Sequence, residues 1–424
     1  MKSVIVAGVR TPFAKAGTLF RKMSAIDLGK LAVKEVLDRS GVRGDEIDHL
    51  IFGTVVHDPR APNIAREVGL ATLPMHVPAT TVSRACATSN QAITDAANLI
   101  EVGYADVVIA GGAESLSHVP IMVSDRLSEI LVQVSKARSL GARASTLARI
   151  RPRDLLPQQP QIAEPTTGET MGESAERMAK ANGISREAQD EWALRSHQLA
   201  AAGTDDGRLK QEIVRTYLPP KYDEVVDQDN GIRRDTAYEK LMGLRPVFDR
   251  KRGTVTAGNA SPLTDGGSAV MLMSEERARA DGMPILGRIR SYAYAALNPG
   301  EQLLQGPAFA APIALDRAGV SMKDIGLMEM HEAFASQVLS NLQWLDSETF
   351  ARERLGRSTR VGHPDPEVIN VMGGSLAIGH PFGATGGRVT ITLVNEMARR
   401  DVELGLITVC AAGGLGFAMV IERV

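Results

Sequence analysis

Cys86 stands in T-V-S-R-A-C-A-T-S-N-Q, between a β-branched stretch and the helix-like run Asn90 to Ile100. That context places the thiol at a strand-to-helix turn. There, backbone N–H groups and the positive end of the helix dipole favour a thiolate, so the pKa is expected to fall. A depressed pKa makes a usable nucleophile; a small buried hydrophobe is the other reading of a single cysteine. His380 lies in G-G-S-L-A-I-G-H-P-F-G-A-T-G-G-R, residues 373–388, among six glycines and just before another helix start. Glycines let backbone approach a ligand closely, and an imidazole held there can take the proton of a nearby thiol as general base. The loop is neither a phosphate-binding P-loop nor a G-x-G-x-x-G fingerprint, which counts against a nucleotide-hydrolysing or dinucleotide enzyme.

Cys410 follows an apolar strand in I-T-V-C-A-A-G-G-L-G. A thiol with an ordinary pKa of ~8.5 can donate and recover a proton at carbon, a role distinct from that of a nucleophile. In H-E-A-F-A, residues 331–335, His331 ends another apolar run; an ordinary helix start with Glu332 in its first turn is the alternative. The eight histidines show no metal-ligand spacing such as H-E-x-x-H, so no metal is expected.

The elements that must position these residues alternate in the rhythm of a layered α/β sheet. The expected order is strand Val4 to Val9, helix Ala25 to Ser40, strand Leu50 to Val56, a helix after Cys86, and strand Asp106 to Ala110. From about His118 to Arg252 the rhythm breaks, with charged helices, prolines at Pro152, Pro157 and Pro160, and a polar stretch from Tyr222 to Thr236, which suggests an inserted loop domain. Strands at Ser268 to Met273, Ile285 to Tyr294, Ile325 to Met330, Gly405 to Val409 and Phe417 to Glu422 restore it. Gly41, Val42, Glu46 and Ile47 match Gly319, Val320, Asp324 and Ile325, each set followed by an apolar strand candidate. Later in each half a strand runs into paired glycines, Val107 to Gly112 and Leu406 to Gly414. A duplicated pair of halves would produce this; fragments shared by any two βαβ proteins would produce some of it.

Length and composition bound the answer. At ~100 to 200 residues per domain, 424 residues ask for two or three units. A formal charge of −2, from 48 Lys and Arg against 50 Asp and Glu, gives no overall electrostatic reason to expect nucleic acid as partner. With 40 Gly but only 9 Phe, 6 Tyr and 2 Trp, close backbone packing is expected in place of an aromatic-filled core. Two cysteines far apart do not suggest a disulfide framework. No apolar run reaches the ~18 to 20 residues of a membrane span and no signal-peptide pattern opens the chain, so a cytoplasmic location is expected.

Taken together these motifs resemble the thiolase family of acyl-CoA C-acyltransferases. The resemblance spans the whole chain. It includes V-x-x-x-R-T-P-F at 6–13, the Cys86 segment, A-G-G-A-E-S at 110–115, G-T-V-T-A-G-N-A-S at 253–261, H-E-A-F, G-H-P-x-G-A-T-G at 379–386, and C-A-A-G-G-L-G. It implies a five-layered αβαβα fold of two similar halves with an inserted loop domain. The expected divisions are an N-terminal half at 1–117 completed by 253–276, a loop domain at 118–252 covering coenzyme A, and a C-terminal half at 277–424. It also implies a tight homodimer.

By the same resemblance, Cys86 attacks the 3-keto carbon of a 3-oxoacyl-CoA after His380 takes its proton. The C2–C3 bond breaks to an acyl-enzyme and an acetyl-CoA enolate, and CoA then removes the acyl group. Cys410 is implied as acid/base at C2. His380 and His331 are implied in one oxyanion hole, and the backbone N–H groups of Cys86 and Ala412 in a second. Many family members carry Asn where His331 stands, and often Gly at the Ala412 position. Met171, Ala257, Ser261, Ala333 and Phe334 match positions that contact coenzyme A, which enters as substrate; no permanently bound cofactor is expected. His331 resembles the thiolase subunit of the β-oxidation trifunctional complex, which implies a partner subunit with hydratase and 3-hydroxyacyl-CoA dehydrogenase activities. From Arg126 to Arg153 seven basic residues accompany one acid, Glu129, with Leu127, Ile130, Leu131 and Val134 at helical spacing. That pattern reads as a helix for docking on a membrane surface or partner subunit, or as a solvated face. The alternatives are a biosynthetic acetoacetyl-CoA thiolase, a ketoacyl synthase, against which Cys410 argues, and a catalytically silent acyl-CoA-binding relative.

Overall fold

The computed structural model describes residues 2–157 and 163–424; Pro160 lies outside the described residues. Numbering only the strands of the main sheet path, these are β1 Ser3–Arg10, β2 His49–Gly53, β3 Ala79–Val82, β4 Val107–Ser115, β5 Thr264–Ser274, β6 Gly287–Ala296, β7 Leu327–Met330, β8 Leu404–Ala411 and β9 Leu415–Glu422. The helices of eight residues or more are α1 Ala25–Ser40, α2 Ile64–Thr72, α3 Thr88–Glu101, α4 Asp125–Lys136, α5 Leu140–Leu147, α6 Met171–Ala181, α7 Arg186–Asp205, α8 Gly306–Ala318, α9 Ala335–Leu345, α10 Glu348–Leu355 and α11 Thr385–Arg400. The sheet runs β7-β8-β9-β6-β1-β5-β4-β2-β3.

That order contains the same arrangement twice. Reading inward from each side, β2-β4-β5-β1 matches β7-β8-β9-β6, and the two sets join where β1 pairs with β6 through Val4↔Arg288 and Ile5↔Gly287. The local structure repeats as well. Helices α1 and α8 both end at a left-handed glycine, Gly41 at φ 71 and Gly319 at φ 69. A short 3-10 turn follows in each, Gly44–Glu46 and Met322–Asp324, and then the parallel strand. The Gly-Val match therefore marks a C-cap where an L side chain would be strained.

Strand periodicity explains the layers. Successive strand residues face opposite sides, so each strand feeds two cores. Val4, Val6, Val107, Ile109, Met271 and Met273 pack outward against α1 and α2. Leu404, Leu406, Ala418 and Val420 pack outward against α8 and α9. Ile5, Val108, Val270, Ile407, Val409, Phe417 and Met419 turn inward to a shared core with Ile93 and Ala97 of α3 and Val389 and Leu393 of α11. The result is αβαβα, with α3 and α11 as the middle helical layer.

The expected loop segment divides in a physically informative way. His118–Ile162 forms a compact unit of its own, while the chain from Ala163 onward clusters with the main body. Within the small unit, α4 is capped by Ser124, and Arg126 pairs with Asp154 at 3.1 Å. Leu127 and Ile130 are buried, whereas Leu131 and Val132 are exposed. Among the described residues no helix is long and apolar enough to cross a membrane.

Candidate active site

Cys86 sits between β3 and the first turn of α3, as its sequence context requires. The turn is sharp. Ala85 has φ 45, and Thr88 ties the turn shut by accepting from the Arg84 amide at 2.8 Å and donating to the Ala85 carbonyl at 2.7 Å. The equivalent turn of the other half carries His380, ahead of α11. These two helix starts meet so closely that only glycine fits, a Cβ on Gly386 lying 2.3 Å from Asn90 Oδ1; the His380 loop presses as closely on β4, where a Cβ on Gly112 would lie 2.1 Å from the Gly383 carbonyl. Ser89 Oγ donates to that carbonyl at 2.7 Å and accepts from the Gly387 amide at 2.9 Å. The buried Glu114 carboxylate receives the amides of Val55, Val56 and Gly383 and the Thr54 hydroxyl, tying the His380 loop to the end of β2.

The outcome is a direct contact: His380 Nε2 lies 3.2 Å from Cys86 Sγ. The other ring nitrogen, Nδ1, lies 2.6 Å from Thr385 Oγ1, and that hydroxyl donates its proton to the Pro381 carbonyl at 3.1 Å. A hydroxyl has one hydrogen, so Thr385 must accept from Nδ1–H, which leaves the Nε2 lone pair facing the thiol. The imidazole is thus set in the tautomer of a base.

The charge state departs from the sequence expectation. Burial pushes the Cys86 thiol up to about 12, against the lowering effect of the Ala412 and Cys86 amides directed at the sulfur. Burial, with Arg388 adding to it, holds His380 down to about 3. The helix N-terminus that was expected to depress the thiol pKa is present, but loss of water costs the anion more than the dipole returns. Before substrate enters, the pair is therefore a neutral thiol and a neutral imidazole.

His331 is fully buried, with its ring centroid 4.0 Å from that of His380. One ring nitrogen of each histidine and Cys86 Sγ lie within 4.8 Å of one another, a donor set compact enough to hold a metal ion and invisible to a search for local spacing. His331 Nδ1 lies 2.9 Å from Ser375 Oγ, whereas Nε2 has no hydrogen-bond partner among the described residues. Cys410 is fully buried, and burial first and the nearby Cys86 sulfur second raise its thiol pKa well above the ordinary value.

Four of the five remaining candidates connect to Cys410. Cys410, Ala333, Ala175 and Leu304 form one apolar cluster, with Met171 and Phe334 packed on it. Ser261 N–H donates to the Ala333 carbonyl at 3.0 Å, and the Ala260 and Phe334 backbones bridge. Ala257 is exposed, earlier on the same loop. H-E-A-F is not a helix start, since α9 begins at Ala335. Glu332 instead takes four bonds, from Trp192 Nε1, Ser196 Oγ, Asn370 Nδ2 and the Leu376 amide, and locks the His331 strand end to the loop before His380. Sequence reasoning missed Glu332, Glu114, Ser375 and Thr385. Of these only Thr385, one helical turn beyond His380, leaves a local signal.

A half-buried thiol, an imidazole poised as its base, amide donors at the sulfur and a second, buried thiol beyond it form a centre suited to thiol-dependent acyl transfer, built across two related α/β halves. The comparisons with known proteins identify which. Residues 3–276 match the thiolase N-terminal domain and 283–423 the thiolase C-terminal domain. The chain is 52% identical over 420 residues to the 3-ketoacyl-CoA thiolase of Yersinia pestis (strain Pestoides F), covering 99% of this chain and 96% of that one. The acetyl-CoA acetyltransferase of Bacillus anthracis superimposes with TM-score 0.85 at 33% identity, covering 100% of this chain and 99% of that one. Human mitochondrial 3-ketoacyl-CoA thiolase in complex with CoA superimposes with TM-score 0.84 at 32% identity, covering 100% and 98%. The chain belongs to the thiolase family and is an acyltransferase.

Proposed function

We propose that this protein cleaves 3-oxoacyl-CoA with CoA to give acetyl-CoA and a shortened acyl-CoA, as a degradative thiolase of fatty-acid β-oxidation. The observation that carries the reading is the 3.2 Å contact between His380 Nε2 and Cys86 Sγ, made by a tautomer whose lone pair faces the thiol. As Cys86 attacks the keto carbon, its proton passes to His380, and the C2–C3 bond breaks to leave an acyl-Cys86 and an enolate. Cys410 supplies a proton to C2; its raised pKa keeps it a proton carrier rather than a standing anion. His331 and His380 face the enolate oxygen, and the Ala412 and Cys86 amides serve the acyl-enzyme oxygen. The His380 imidazolium then returns a proton to the Cys410 thiolate, and the neutral His380 deprotonates CoA; the CoA thiolate attacks the acyl carbon, and Cys86 leaves with the proton from His380. Met171, Ala257, Ser261, Ala333 and Phe334 line the pantetheine path.

The same groups run backwards would condense two acetyl-CoA molecules. His331 in place of Asn favours the degradative reading, and with it a homodimer in the cytoplasm joined to a hydratase/dehydrogenase partner. The exposed Leu131 and Val132 of α4, followed by the basic chain from Lys136 to Arg153, suit a docking face for that partner or an anionic membrane surface. Thiolysis of 3-oxoacyl-CoAs of increasing length, with mass analysis of Cys86, tests the reading. A Cys86 adduct and turnover rising with chain length support it. Turnover restricted to acetoacetyl-CoA favours the biosynthetic reaction, and no adduct favours a silent binding protein.

A further inference from the structure

The two active-site imidazoles are held by hydroxyl groups wired in opposite senses. Arg388 is fully buried, with Nη1 2.9 Å from Glu329 Oε2 and Nη2 3.1 Å from Ser375 Oγ. Ser375 Oγ in turn lies 2.9 Å from His331 Nδ1. A guanidinium can only donate, so Ser375 accepts from Arg388. That leaves the serine one hydrogen and one lone pair; among the described residues only His331 Nδ1 is placed to take the hydrogen, so an accepting Nδ1 is the arrangement that satisfies the buried hydroxyl.

Resting on the thiolase reading above, we infer that Ser375, oriented by Arg388, is a positioning residue that fixes His331 with its hydrogen on Nε2, so that this nitrogen donates to the enolate oxygen of the departing acetyl-CoA. His380 is held the other way. There the hydroxyl of Thr385 spends its hydrogen on the Pro381 carbonyl, so Nδ1 donates and Nε2 accepts. One ring is set as base and its neighbour, 4.0 Å away, as donor. Without such a setting a neutral His331 could turn a lone pair towards the oxyanion, and repulsion would replace stabilisation. Burial, His380 and Arg388 all oppose protonation of His331, so it donates as a neutral imidazole and its tautomer decides its function. Ser375 Oγ is two bonds from backbone on a short buried helix, Ser375–Ile378, and Arg388 lies in the first turn of α11; both are rigid supports.

The test is a double-mutant cycle in the full chain, read by thiolysis of a 3-oxoacyl-CoA. Ser375→Ala should lower kcat by ~10- to 100-fold, below the ~100- to 1,000-fold loss typical of deleting an oxyanion donor, with KM within about twofold. In a His331→Ala background the same change should cost less than about twofold, because the group it positions is gone. Ser375→Thr, which keeps the hydroxyl, should restore kcat to within about threefold of wild type. Histidine 15N chemical shifts of the wild type should show His331 protonated at Nε2 and bare at Nδ1. An equal penalty for Ser375→Ala in both backgrounds, or a wild-type hydrogen on Nδ1, overturns the inference. A wild type that fails to cleave 3-oxoacyl-CoA would instead overturn the functional reading, and the nitrogen spectrum would still decide the tautomer. The spectrum also decides it if Ser375→Ala does not fold.

Discussion

Thr385→Val is the most direct probe of the base. Valine keeps the shape of threonine and deletes the oxygen that lies 2.6 Å from His380 Nδ1. When His380 takes the Cys86 proton it becomes an imidazolium with hydrogens on both nitrogens. In the wild type Thr385 serves the Nδ1 side; in the variant a charged donor is buried without a partner. A hydrogen bond to a charged group contributes ~1.5 to 3 kcal/mol, which corresponds to a ~10- to 150-fold slower acylation. The resting imidazole can escape the unmet Nδ1–H by moving its hydrogen to Nε2, but that places a hydrogen against the thiol and abolishes the base. Both routes slow the same step. Rapid-quench mass spectrometry of Cys86 during a single turnover on 3-oxoacyl-CoA measures it directly. Thr385→Ser should acylate at nearly the wild-type rate. If Thr385→Val acylates within about twofold of wild type, the hydroxyl does not set the base and the tautomer argument fails.

Cys410→Ala should still gain an acyl group on Cys86 from acyl-CoA but lose condensation and C2 proton exchange by ~100- to 10,000-fold, the range for a missing acid/base; full turnover would refute the proton role. Gly112→Ala places a Cβ 2.1 Å from the Gly383 carbonyl and must push the His380 loop by ~1 Å, so activity should fall ~100-fold with a lower Tm; unchanged kcat would show that the loop does not need that close approach. His197 is buried and held from 6.5 down to about 4 by burial, Arg233 and Lys15. Between those values the unfolded chain binds the extra proton, so stability is complete above pH ~6.5 and is lost as the pH falls towards 4. His197→Asn should flatten the slope of Tm against pH in that window, and an unaltered slope would remove His197 as its source.

Backbone periodicity carried most of the fold. The α1 boundaries, the capping glycines 41 and 319 and the strand cores all follow from local pattern, because capping and alternation act over a few residues. The loop domain was legible only as an interruption; whether Ala163 onward packs with the main body depends on contacts far apart in sequence. At the site, Cys86, His380, Cys410 and His331 stood out through their glycine-rich or strand-end contexts. The direction of the Cys86 pKa runs opposite to the expectation because a helix start is visible in sequence and the water that surrounding groups withhold from the sulfur is not. Glu332 looked like a first-turn acid, and its four donors come from α7 and the loop at 370–376, which spacing cannot reveal.

The repeated half-sheet has a corollary for the origin of the chemistry. Cys86 and His380 occupy the same turn of each repeat, before α3 and before α11, so a single fold element was free to become acceptor in one copy and donor in the other once the two were joined. Neither repeat retains a workable centre by itself. A polypeptide nicked in the connector at Gly282, between the repeats, would regain turnover only by re-forming the α3–α11 layer, so the reactive pair doubles as a gauge of whether the two ancestral pieces have met.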